Sequence, residues 1–109
     1  TGPEGQGAAA AVQQAGKAGK VKIWAYDAVP AEVDALKSGV ITVLAAKPAK
    51  GMGEKLVNEL VDAVKANPGK KAVKPLSPSL DPLPLTIITK DNIDSPEAQA
   101  AMYKSTCDN

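Results

Sequence analysis

The stretch VKIWAYDAVPAEVDALKSGVITVLAAKPAKGMGEKLVNELV, residues 21–61, decides the fold. Val21 to Tyr26 is a β-branched and aromatic run too short for a helix, and it predicts a strand that ends at the turn Asp27-Ala-Val-Pro30. Pro30 suits a first helical turn, Glu32 falls in that turn, Val33 and Leu36 share a face and Gly39 closes the segment, so a helix is predicted over about 30–38. Val40 to Ala45 is polar only at Thr42, the pattern of a strand covered on both faces. Residues 53–66 carry Leu56, Val57, Leu60, Val61 and Val64 on one helical stripe. Right-handed crossovers make the two strands parallel neighbours with helices packed across them, so the expected class is α/β, a parallel sheet flanked by helices.

Working outward, residues 4–18 are rich in Ala and Gln and end at Gly16 and Gly19, which predicts a helix before the first strand. From Asn67 the composition shifts. Pro68, Gly69 and the prolines at 75, 78, 82 and 84 are too many for a central strand and read as an extended connector. LTIIT, residues 85–89, reads as a strand. A final helix follows, capped by Asp94 or Ser95, with Glu97 at capping-box spacing from Asp94 and Pro96 in the first turn. The tail STCDN is expected to fray.

The chain has 109 residues, of which 44% are hydrophobic, with no Phe and one Trp, so its core is small in side-chain volume and its stability is expected to be modest. All 13 basic residues are Lys, so the forked guanidinium that reads phosphate and guanine is lacking, and no nucleic-acid partner is expected. With no His and a single Cys, neither a nitrogen–sulfur zinc site nor His acid-base catalysis can be built, and no metal or cofactor is expected. No apolar run approaches the roughly 18 residues needed to span a bilayer. The N-terminus carries neither a signal peptide nor a starting Met, which suggests a processed product or a piece of a longer chain.

Gly16-Lys-Ala-Gly-Lys20 has the glycines and lysine of a phosphate loop but closes a helix instead of opening one, so it reads as a helix stop. The Lys cluster at 70, 71 and 74 reads as a soluble turn. Asp27 is the informative position. It stands at the carboxyl end of a strand, where ligands of open α/β sheets collect, and a carboxylate there can accept hydroxyl hydrogen bonds. The same position also allows it to cap the helix that begins near Pro30. Trp24 and Tyr26 share a strand face with Lys22, with core packing as the default and Tyr26 within reach of a ligand. Lys47, just past the second strand, points to the same rim and could hold an anionic group.

These residues resemble the second lobe of type I periplasmic sugar-binding proteins, the ribose-binding-like receptors of ABC importers. The resemblance rests on the strand-Asp-x-x-Pro turn, the helix ending Lys37-x-Gly39, the strand leading into Lys47-Pro48 and the Gly-containing helix start, with AAAVQQAGKAG upstream and LTIITKDNID downstream. It implies that Asp27 binds a sugar hydroxyl. Thr1 falls where many members have a ligand-binding Asn. Ala46 falls where ribose receptors often place a ligand-binding Gln, which leaves Lys47 as the neighbour able to supply that bond.

The resemblance implies a solute-binding component of an ABC importer that takes a monosaccharide or polyol without chemical conversion, serves a membrane permease and acts in the periplasm or outside the cell. It assigns residues 1–72 to part of one lobe, 73–84 to a proline-rich hinge crossing and 85–109 to a closing strand and helix of the other lobe. Most of that other lobe lies outside this sequence, so the expected partners include the missing lobe or a second copy of the chain, with 85–109 detached or swapped. The alternative is the effector domain of a sugar-responsive transcriptional repressor, which shares the architecture. An enzyme is not expected, because no nucleophile–base pair accompanies Asp27 and Lys47.

Overall fold

The computed structural model describes residues 2–69 and 84–104. The element order is α1 (Gly2–Gln14), β1 (Trp24–Tyr26), α2 (Pro30–Ser38), β2 (Val43–Ala46), α3 (Ala49–Ala66), β3 (Thr86–Ile88) and α4 (Pro96–Ala101). The mixed α/β class is the expected one. β1 and β2 are parallel, with Ala25 opposite Leu44, while β3 adds to the other side of β2 in the antiparallel sense, with Ile88 opposite Leu44.

That row of Ala25, Leu44 and Ile88 is buried, and it is the floor of a single core made with Ala9 of α1, Val33 and Leu36 of α2, Ile93 of the turn after β3 and Ala98 of α4. The opposite face carries Trp24, Tyr26 and Ile87, which are exposed. Core packing was expected for the two aromatics and is not found, whereas the expected coverage of β2 on both faces is seen in Val43, which shares their face and is buried, and in Leu44 and Ala46 on the other. Alternation tells which side chains share a face but not which face is covered, and the small residues Ala25 and Ala9 are what let α1 lie close on the other side.

α2 starts and stops where its punctuation dictates. Pro30 lies in its first turn, and Gly39 adopts φ 84°, the left-handed conformation that lets its N–H reach the carbonyls of Ala35 and Leu36. α3 begins after Pro48, a turn earlier than its apolar stripe suggested. In α4 the cap is Ser95, whose Oγ accepts the N–H of Ala98 at 3.2 Å, so the capping-box spacing of Asp94 is not used.

The described residues divide into two compact units, one running to Lys47 and resuming at Leu85, the other beginning at Pro48. Within the first unit, β3 completes the ladder of β2 and Ala98 enters its core. Leu56, Val57, Leu60 and Val64 of α3 are exposed. The Lys cluster at 70, 71 and 74 and most of the proline-rich crossing lie outside the described residues.

One buried group is not balanced. Glu32, in the first turn of α2, is fully buried, and its Oε2 accepts the N–H of Val29 at 3.4 Å while Oε1 has no hydrogen-bond partner among the described residues. Gly5 of α1 lies against it, and a Cβ at that position would collide with Oε1. Burial raises the Glu32 pKa above the ordinary 4.5, opposed by the Val29 N–H and reinforced by the negative charges of Asp27 and Glu4. A carboxyl whose folded pKa is raised binds its proton more tightly when folded, so its contribution is fully favourable below about 4.5 and is lost as pH rises through the folded value. Denaturation across a pH series is therefore expected to show stability falling from pH 4.5 upward through this group, and Glu32→Gln is expected to flatten that slope.

Candidate functional site

The site is built where β1 and β2 end together. Because the strands are parallel and in register at Tyr26 and Ala45, the chain leaves both at the same edge, and Asp27 and Lys47 emerge side by side. Asp27 is held in place by its own N–H, which donates to the Ala45 carbonyl at 3.0 Å. Its φ of 79° makes it the non-glycine residue with left-handed backbone among the described residues. Asp and Asn tolerate that conformation better than other residues with a Cβ, and such strain persists only where surrounding contacts fix it.

Those contacts converge on one carboxylate oxygen. Lys47 Nζ lies 3.2 Å from Asp27 Oδ1, and the Tyr103 hydroxyl donates to the same Oδ1 at 3.4 Å. Lys47 also lies over the ring of Tyr26, 6.0 Å from its centroid. Asp27 is nearly buried while Lys47 keeps 40% of its side chain exposed, so the pair is half-desolvated, and removing Lys47 would leave a buried carboxylate short of a counter-charge. The Tyr103 phenol is pushed above its ordinary pKa by burial and then by the Asp27 charge and hydrogen bond, with Lys47 pulling the other way.

Asp27 does not cap α2. The residue before that helix is Val29, which has no capping side chain, and the Asp27 carboxylate is turned toward Lys47 instead. The structure thus brings Asp27 and Lys47 together as expected and adds Tyr26 at the rim. Thr1 lies outside the described residues. Ala46 is fully buried and offers nothing to a ligand. Tyr103 was not foreseen: it is 76 positions away from Asp27, in a segment with no periodic pattern to mark it. An open groove between α2 and the segment after α4 is lined by Asp34, Lys37, Gln99, Tyr103 and Lys104, so Tyr103 borders it while Asp27 and Lys47 do not. Among the described residues no cluster of His, Cys, Asp and Glu could hold a metal ion, and no helix is long and apolar enough to cross a membrane.

The family model described as a periplasmic binding protein domain matches residues 1–71, well over half of the chain. The chain belongs to the periplasmic binding protein family. Two solved members of the ABC transporter solute-binding group from Agrobacterium vitis share its fold. One, solved with bound D-fucose, is 29% identical with a TM-score of 0.71 over 93% of this chain and 32% of its own length. The other, bound with α-D-tagatopyranose, is 30% identical with a TM-score of 0.71 over 93% of this chain and 31% of its own. This periplasmic binding protein chain therefore spans about a third of the length of those structures. No curated protein matches it.

The left-handed backbone at position 27 separates two roles of one residue. Asp27→Asn, which tolerates the conformation, is expected to be more stable than Asp27→Ala by about 1 kcal/mol, although both lose the ion pair. Equal melting temperatures for the two variants would mean that the turn carries no conformational selection.

Proposed function

We propose that this chain forms part of one lobe of an exported receptor that captures a monosaccharide or polyol and passes it to an ABC-type permease, with no bond made or broken in the ligand. The observation that carries the reading is the Asp27 carboxylate, fixed at the carboxyl end of two parallel strands with Oδ1 engaged and Oδ2 without a hydrogen bond from any described residue. A fixed carboxylate that still has lone pairs to offer suits a ligand hydroxyl, and such charge-assisted bonds strengthen as water is excluded. The sugars bound in the two Agrobacterium vitis structures support the same ligand class.

The break between compact units supports a two-lobed receptor. The chain leaves the lobe described here at Lys47–Pro48, returns at Leu85, and in between carries a helix whose apolar stripe is exposed. In this reading α3 belongs to the companion lobe, and a ligand that touches both lobes shifts the receptor toward closure because it gains contacts in that state alone. The proposed location is the periplasm, as the family name implies.

Calorimetric titration of the full-length receptor with D-fucose and with D-tagatose tests this reading. Asp27→Asn is expected to weaken binding of the accepted sugar by about 1.5–3 kcal/mol, roughly ten- to a hundredfold, with the fold retained. Unchanged affinity would remove Asp27 from the site.

A further inference from the structure

Asp27 is approached from a part of the chain that nothing in the strand-end pattern anticipates. Tyr103 follows α4, and its backbone is pinned to the Asp27 turn, its N–H donating to the Ala28 carbonyl at 3.0 Å. From that anchor its hydroxyl reaches Asp27 Oδ1, the oxygen that Lys47 also engages. Two donors thus meet on that one oxygen, the phenol through a long 3.4 Å contact, and no described residue hydrogen-bonds the other.

We propose that Tyr103 is a positioning residue for ligand recognition: its hydroxyl, with Lys47, locks the Asp27 carboxylate so that Oδ2 is presented to a hydroxyl of a neutral sugar or polyol. This rests on the sugar-binding reading of Asp27. Lys47 alone makes a poor lock, because its flexible stem and compact charge follow the carboxylate through many rotations, and it is drawn as well to the Tyr26 ring. Tyr103 has two side-chain torsions and a backbone tied to the same turn, so it restricts the carboxylate with little freedom of its own to lose. A carboxylate held in its binding rotamer before the ligand arrives loses less entropy on binding. The lock also closes Oδ1 to the ligand, so the sugar is held through one oxygen instead of a bidentate pair.

The test uses the full-length receptor with two independent readouts. The first is the difference in ultraviolet titration between the receptor and its Tyr103→Phe variant, which isolates the Tyr103 phenol from every other tyrosine. The phenol is expected to ionise at lower pH once Asp27→Asn removes the negative charge beside it, and an unmoved titration overturns the proposal, since a tyrosine packed elsewhere would not sense position 27. The second is sugar affinity. Tyr103→Phe, which keeps the ring and removes the hydroxyl, is expected to weaken binding by about two- to tenfold with an unchanged melting temperature. In an Asp27→Asn background it is expected to add no further loss, because there is no carboxylate left to orient. If Asp27→Asn weakens sugar binding and Tyr103→Phe does not, the positioning role is overturned while the sugar-binding reading stands. If Asp27→Asn itself leaves affinity unchanged, both fall together.

Discussion

Everything in this compact unit depends on β2. Its four residues, Val43–Ala46, supply the partner for a parallel strand on one side and an antiparallel strand on the other, and its Leu44 is the fully buried side chain on which the core converges. The pleat commits Leu44 and Ala46 to the face covered by helices and turns Ala45 to the other. The Ala45 carbonyl is left at the strand end to accept the N–H of Asp27, so the strand that organises the core also sets the backbone of Asp27. A one-residue slip of this strand would reverse both faces and displace the site together with the core.

The charges near the site follow from that geometry. Two carboxyl groups, Asp27 and Glu32, lie close enough to influence each other, and they differ in what reaches them. Asp27 meets a lysine and a phenol. Glu32 meets a single backbone N–H and the glycine that lets α1 approach, and burial pushes its pKa up. The two environments divide labour between the residues: one carboxyl is kept paired and directed at the rim, the other lies under the helix layer.

Much of this was legible in the residues, and the reasons are specific. α2 was read to the residue because Pro30 and Gly39 bracket it, each with a backbone preference that leaves few alternatives. Asp27 and Lys47 were legible because parallel strands bring their carboxyl ends to one edge. The covered face of the sheet was not legible, since Trp24 and Tyr26 look like core residues wherever they stand, and only the packing of α1 against Ala25 decides otherwise. Tyr103 was out of reach for a different reason: its contact with Asp27 spans most of the chain, and no local spacing encodes it. The prolines that draw attention in the sequence lie further on, whereas the chain changes compact units at a single proline directly after β2.

Trp24 illustrates how an open sheet face can serve as an instrument. It is the single tryptophan of the chain and 75% exposed, so its indole reports on one surface only. In water its fluorescence is red-shifted and open to collisional quenchers; once a layer of helix or a neighbouring lobe covers the face, the emission moves to the blue and quenching fades. The chain thus carries a native optical probe of that face, with no label to introduce.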